Sequence, residues 1–374
     1  MMRERVLRVR ALLRKEFRQL LRDPKSKRIV FGAPIVQLLM FGYAVTTDVH
    51  DVPMHVVDFD RTVASRELQQ ALTAGGYFNM VAVSERPAAL AADVDAGRAG
   101  VGVVIPRGFA RDLGAGRGAH VQLIVDGSSS NTGTVAQGYA TRIIQQFGLD
   151  YARERGRGLQ GGVDLRARAW FNPALVSRVY NVPAVVGLLL MMICFLLTAL
   201  NVVRERETGT LEQLLVSPVN GTEIILGKTI PVAIIAFVDL LLITTLAILW
   251  FDVPFRGSAA ALLLAAALYI LACLGFGLLI STVSRTQQEA FMGMFLLLLP
   301  MIVLSGFMYP VRNMPEIFQQ LTLLNPARHF LEIVRGIFLK GEGLLELWPQ
   351  YLAIAVTAVL VLGFATRRFK RVTY

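Results

Sequence analysis

The feature that most constrains this chain is a run of 25 residues without a charged side chain, at 179–203. An α-helix rises about 1.5 Å per residue and the hydrocarbon core of a bilayer is about 30 Å thick, so about 20 apolar residues can cross it. A helix also closes its backbone hydrogen bonds internally, which the lipid interior requires. The run therefore predicts a transmembrane helix.

Similar stretches recur along the 374 residues. Four carry no charge, and a fifth, at 229–251, is interrupted only by Asp239. One acid is tolerated in a span where it faces protein rather than lipid, so Asp239 is expected either to contact a cationic substrate or to form an interhelical hydrogen bond. We predict a polytopic α-helical membrane protein with six transmembrane helices. They are assigned to 29–47, 178–203 and, for the third to sixth, 229–366 with an outer cap at 312–345.

The basic residues set the predicted orientation. Residues 1–28 hold eleven Lys and Arg against three acids, and the basic tail 367–374 adds four. Their net charges of +8 and +4 together exceed the chain's total of +11, so the remainder of the chain is about neutral. The high charge is therefore a positive-inside signal that places both termini in the cytoplasm, and nucleic acid is not an expected partner.

The basic N-terminal segment also has an apolar stripe at helical spacing. The stripe consists of Val6, Val9, Leu13, Phe17, Leu20 and Leu21, with cations around the rest of the helix. This pattern predicts an amphipathic helix on the membrane surface, its cations on lipid headgroups. A solvated positive flank that happens to be helical is the alternative.

Residues 48–177 form one long insertion between the first two spans. Short β-type runs such as MHVVDF, NMVAV, GVGVVI and VQLIVD alternate with helical segments. Because the N-terminus is expected inside, the sequence predicts an inserted α/β domain on the extracytoplasmic side. The Gly- and Arg-rich stretch 153–164 reads as its return linker.

The most informative polar loop is 204–228. Thr210 and Gln213 have capping-box spacing, Glu212 lies in the first turn, and Pro218 ends the segment. The short helix so predicted presents Leu211, Leu214 and Leu215 on one side. Since it is too short to be stable alone, it either docks on a partner or packs against its own spans.

Three segments in order carry a family resemblance. HVVDFDRTVASREL follows the first span, RETGTLEQLLVSPV follows the second, and MYPVRNMPEIFQQLTLLNPARHFLEIVRGIFLKG precedes the sixth. Together they resemble ABC-2 type transporter permeases, in particular the drug-efflux subgroup that has a large extracytoplasmic domain between the first two spans.

The resemblance implies a non-catalytic permease in the bacterial inner membrane that exports amphipathic or hydrophobic compounds, drug-like or lipid-like, from the cytoplasm or inner leaflet. It implies two permease subunits and a separate ATPase that holds ATP and Mg, and it leaves a periplasmic adaptor open. The N-terminal helix becomes a connecting helix. The implied coupling residues are Glu207, Gly209, Thr210, Leu211, Glu212, Leu214 and Leu215.

The resemblance also implies that the second and fifth spans line the substrate path. Their Met and Phe side chains suit compounds of varied apolar shape: Met191, Met192, Phe195, Phe291, Met292, Met294, Phe295 and Met301. The alternative is that these Met and Phe side chains only face lipid and have no role in transport.

Several enzyme chemistries lack their motifs. The LGKT stretch at 226–229 has Thr222 where a phosphate-binding loop needs its first glycine, and the four histidines have no metal-ligand spacing. We expect no cofactor and no metal bound by this chain. A secondary transporter or channel and a membrane-anchored sensor are the competing functions, although the former usually needs more intramembrane charges.

Overall fold

The computed structural model describes residues 2–22, 27–44, 50–116, 118–127, 130–154, 176–210 and 220–373. In chain order the elements are α1 (Met2–Arg22), α2 (Ala33–Ala44), β1 (Val52–Asp58), α3 (Val63–Ala74), β2 (Phe78–Ser84), α4 (Pro87–Asp95), β3 (Val101–Ile105), α5 (Phe109–Ala115), β4 (Gln122–Val125), α6 (Ser130–Glu154), α7 (Ser177–Glu207), α8 (Gly221–Leu249), α9 (Ala259–Val283), α10 (Gln287–Val303), α11 (Glu316–Leu321), α12 (Pro326–Arg335) and α13 (Trp348–Thr373). Short π-helical turns cover Arg28–Gly32 and Gly336–Lys340.

The chain divides into two compact units. One consists of Met1–Thr46 and Ala169–Tyr374 and is called here the helical unit, and the other is Thr47–Arg168, the insert unit. Each has its own apolar core.

The helical unit has the character of a membrane protein. Among the described residues four helices are long and apolar enough to cross a bilayer: Ser177–Glu207, Gly221–Leu249, Ala259–Val283 and Trp348–Arg371. Two shorter apolar helices, Val30–Tyr43 and Gln287–Val303, fall in the other two predicted windows. Alone, these two segments of helix are short for a full span, so the count of six remains a prediction.

Several helices extend beyond the charge-free windows predicted as spans. A charged residue ends an apolar run, but it does not end the helix. Helix α7 continues through four polar residues, 204–207, and stops before Gly209, which has a φ of +72°. Helix α8 begins at Gly221, where the Glu223 side chain accepts a hydrogen bond from the Asn220 N–H (3.1 Å). Much of the predicted loop 204–228 and most of the predicted tail 367–374 therefore belong to helices.

The core of the helical unit is built by α9 packing along α7 and α13. A Cβ added at Gly277 would lie 2.7 Å from the Thr198 Cβ, and one at Gly275 would lie 3.0 Å from the Leu362 backbone N. Small residues here allow helix backbones to approach closely, as is common where lipid supplies no hydrophobic driving force.

The insert unit is an α/β fold with one four-stranded sheet of order β2-β1-β3-β4. Strand β1 is parallel to β2 and β3, and β4 is antiparallel to β3. The four strands coincide with the β-type runs expected from the sequence. The proposed linker 153–164 lies almost wholly outside the described residues.

Buried Asp58 organises the end of β1. Its carboxylate accepts hydrogen bonds from the Ser65 hydroxyl (2.7 Å), the Gln69 amide (3.0 Å) and the backbone N–H groups of Asp60 and Arg61 (both 2.9 Å). The HVVDFDRTVASREL motif therefore builds the turn from β1 into α3.

Candidate coupling site and substrate path

The predicted coupling residues begin where α7 ends. Glu207 Oε2 accepts a hydrogen bond from Gln287 Nε2 (2.6 Å) at the start of α10, and the Thr210 hydroxyl donates to the Glu205 carbonyl (3.3 Å). Gly209, with its positive φ, provides the sharp change of direction between them. Leu211, Glu212, Leu214 and Leu215, and hence the predicted short helix itself, lie outside the described residues.

A buried ionic cluster lies beside this segment. Lys228 Nζ on α8 is 3.1 Å from Glu16 Oε1 on α1 and 3.0 Å from Glu205 Oε1 on α7, and it donates to the Asn201 carbonyl (3.2 Å). Lys15 Nζ is 2.8 Å from the same Glu205 oxygen. We call Lys228, Glu16, Glu205 and Lys15 the Lys228 cluster. Two ammonium groups balance two carboxylates; Lys228, Glu16 and Glu205 are buried, while the Lys15 side chain is 47% exposed.

The N-terminal helix thus docks on protein through part of its surface. Arg8 Nη2 lies 3.2 Å from Glu223 Oε1, and a Cβ added at Gly227 would lie 2.9 Å from the Leu12 Cβ. Lys15 and Arg8, expected on lipid headgroups, instead form ion pairs with α7 and α8. Other cations of α1, such as Arg14, remain exposed.

The sequence patterns do not predict this cluster, although one residue of α1 indicates that a buried charge has a partner. Glu16 follows Leu13 by three residues and precedes Phe17, which places an acid on the apolar stripe of α1. An acid on such a stripe requires a buried partner. In the sequence, Lys228 stands out only as part of the LGKT stretch, which does not match a phosphate-binding loop.

The predicted path residues separate into two groups. Met191, Phe195, Met294 and Met301 are buried in the core between α7 and its neighbours, with Met192 and Phe295 packed against it. Phe291 and Met292 are exposed on the surface of the helical unit, at 47% and 57%. Helices α7 and α10 pack together, so the buried group forms one continuous apolar region. Whether substrate follows these residues stays a prediction.

Asp239 lies in the middle of α8 and is fully buried. Neither of its carboxylate oxygens has a hydrogen-bond partner among the described residues, so the interhelical hydrogen bond expected as one alternative is not formed there. The described part of the chain also contains no group of His, Cys, Asp and Glu arranged to hold a metal ion. Cys194 and Cys273 are buried and free.

Comparison with known proteins places these features in a family. A family model described as ABC-2 family transporter protein matches residues 28–367. The chain is 35% identical over 350 residues to the probable multidrug ABC transporter permease YbhR of Escherichia coli, covering 92% of this chain and 95% of that protein. It is 34% identical over 366 residues to the probable multidrug ABC transporter permease YbhS of the same organism, covering 97% of each chain. Identity to its inner membrane transport permease YhhJ is 27% over 363 residues, covering 96% and 95%. The chain therefore belongs to the ABC-2 family of transporter proteins.

Proposed function

We propose that this chain is the permease subunit of an ATP-binding cassette exporter that moves amphipathic or hydrophobic compounds out of the cytoplasm or the inner leaflet. A separate ATPase subunit holds ATP and Mg and supplies the energy, and a second permease, identical or paralogous, completes the pathway. The names of the relatives support the transport class. The substrates and the direction are proposed from the resemblance and from the apolar region between α7 and α10.

The observation that carries the coupling role is the Lys228 cluster. It joins α1 to α7 and α8 at the end of the bundle where Glu207, Gly209 and Thr210 lead into the coupling segment. The segment is covalently continuous with α7 and α8, and the cluster ties α1 to both helices, so a force applied to the segment would move the three helices together. This is the connection that a permease without its own nucleotide site requires.

A six-span topology is consistent with the grouping of helix ends in the helical unit. At one end, Phe369 of α13 packs with Val202 of α7 and Ile224 of α8. At the other end, the Arg256 N–H donates to the Phe338 carbonyl (3.3 Å). We assign the first end to the cytoplasm with both termini, and the insert unit to the periplasm, where an adaptor protein has access to it.

Cysteine labelling tests this topology. Asp95→Cys in the insert unit and Arg285→Cys between α9 and α10 replace exposed residues, while the native cysteines are buried. An impermeant thiol reagent added to intact cells should label the first variant and not the second. The reverse pattern would contradict the assignment.

Association with an ATPase tests the function itself. The full-length chain should co-purify with an ATP-binding subunit whose hydrolysis rate responds to amphipathic drugs, and the purified chain alone should bind no ATP. Tight ATP binding by the chain alone would refute the division of labour. A drug response without ATP-driven transport would favour the sensor alternative.

A further inference from the structure

Arg335, the last residue of α12, is a partly buried cation with incomplete hydrogen bonding. Its Nη1 donates to the Gly306 carbonyl (3.2 Å), just beyond α10, and its Cζ lies 3.9 Å from the centroid of the Tyr180 ring at the start of α7. Its Nε and Nη2 are buried and have no hydrogen-bond partner within the described residues. Two N–H donor groups of the guanidinium, whose geometry suits oxyanions, are therefore unused.

The neighbouring carboxylate, Glu332, acts on this charge only at a distance and forms no ion pair with Arg335. Glu332, one turn earlier on α12, pairs with Arg328 Nε (3.7 Å) and accepts a hydrogen bond from Gln350 Nε2 (3.2 Å). No carboxylate among the described residues lies within ion-pair distance of Arg335. Burial lowers the pKa of the Arg335 guanidinium, yet arginine stays protonated in proteins. A partly buried cation with no carboxylate in contact and two buried donors without partners is costly, and an anionic ligand at those donors would reduce that cost.

The position of Arg335 relates it to the apolar region. Tyr180 opens α7 and Gly306 follows α10, and these two helices carry the buried Met and Phe side chains proposed to line the path. A molecule with an anionic head at Arg335 would have its apolar body next to the ends of α7 and α10.

We propose that Arg335 and Tyr180 form a binding site for the anionic headgroup, a carboxylate, sulfonate or phosphate, of an amphipathic ligand. The site rests on the proposed export function and narrows its substrates to amphipathic anions. The headgroup belongs either to the transported compound or to an anionic phospholipid, and the experiment separates these sources.

Photolabelling of the whole transporter, in discs of neutral phosphatidylcholine, tests the site. The probe is dodecyl phosphate carrying a diazirine, compared with a diazirine-bearing dodecyltrimethylammonium of the same chain length. Arg335→Gln should reduce phosphate-probe labelling about tenfold or more, since charge-assisted hydrogen bonds are lost. Arg335→Lys should retain part of it. Arg312→Gln, an exposed arginine of the same outer segment, should leave labelling unchanged.

Phospholipid composition identifies the source of the anion. If phosphatidylglycerol in the discs competes with the probe, the site holds a lipid headgroup; if it does not, the site selects the free amphiphile. Both results support an anion site. The proposal would be overturned if the phosphate probe labelled Arg335→Gln as strongly as the wild type. It would also be overturned if the variant lost labelling by the cationic probe to the same extent.

A second measurement uses only the wild-type transporter, so it does not depend on whether the variant folds. Dodecyl phosphate should raise the thermal midpoint of the wild-type transporter and dodecyltrimethylammonium should not; equal effects would also overturn the proposal. ATP-driven transport that persists in Arg335→Gln with full anion labelling would refute this inference alone, whereas failure of any ATPase to associate would refute the proposed function.

Discussion

Replacing Lys228 by methionine removes one ammonium group from the buried cluster while keeping a side chain of similar length. Glu16 would then have no partner among the described residues, and Glu205 would keep only Lys15, at 2.8 Å. Side-chain exposure at Lys228, Glu16 and Glu205 is 6%, 6% and 9%, so water offers little replacement. Breaking a buried ion pair by removing one partner typically costs about 3–5 kcal/mol.

The expected result is release of α1 from α7 and α8, with loss of coupling to the ATPase. The thermal midpoint of the purified chain should fall, and trypsin should cleave at the α1 arginines faster than in the wild type. Lys340→Met is the matched control, because Lys340 forms an exposed pair with Glu342 (3.0 Å, Lys side chain 52% exposed). Exposed pairs contribute about 0–1 kcal/mol, so this variant should behave as the wild type.

A double variant separates charge imbalance from lost packing. Lys228→Met with Glu16→Leu leaves Glu205 paired with Lys15 and removes the uncompensated carboxylate, so its midpoint should lie nearer the wild type than that of Lys228→Met alone. A single variant with wild-type midpoint and protease resistance would refute the reasoning. The reasoning would also be refuted if the thermal midpoint of the double variant fell by the sum of the falls seen in Lys228→Met and Glu16→Leu alone.

Three other substitutions test separate parts of the account. Leu214→Asp should uncouple or release the ATPase by placing a charge in the predicted docking face, with normal amounts of protein in the membrane; wild-type drug-stimulated ATPase would show that the segment is only packing. Asp239→Leu should raise the thermal midpoint, since it removes a buried group whose oxygens lack partners, a gain of about 1–3 kcal/mol, and a lower midpoint would point to a missing partner or ligand. Asp58→Ala should destabilise the insert unit by about 3–5 kcal/mol through its four lost hydrogen bonds, measured by limited proteolysis against the exposed control Asp95→Ala. Equal cleavage of these two variants would contradict the role of Asp58.

Sequence patterns sufficed for features that depend on local periodicity. The four strands of the insert unit follow short apolar runs between turn residues, and the long helices follow charge-free windows, because burial on a sheet or in lipid dictates residue type directly. Helix ends were less predictable. Nothing in the charged residues 204–207 opposes helix formation, so α7 continues until Gly209 permits a left-handed turn.

The Lys228 cluster depended on contacts between distant segments. Lys228 and Glu16 are 212 positions apart, and neither neighbourhood specifies the other. Of the pair, only Glu16 carried a local indication, as an acid on an apolar stripe. The partners of Arg335 could not be predicted for the same reason, because Tyr180 lies in α7 and Gly306 follows α10, both far from Arg335 in sequence.

In the proposed transporter, this chain forms the transport path and a separate subunit hydrolyses ATP. The most direct test of this claim uses proteoliposomes whose permease cytoplasmic face points outward, with a fluorescent amphipathic compound outside and ATP and Mg added. Accumulation inside should require this chain, the separate ATPase and ATP together, and should be lost without any one of them. Accumulation driven by an ion gradient with the chain alone, or ATP-driven accumulation without the ATPase subunit, would contradict the claim.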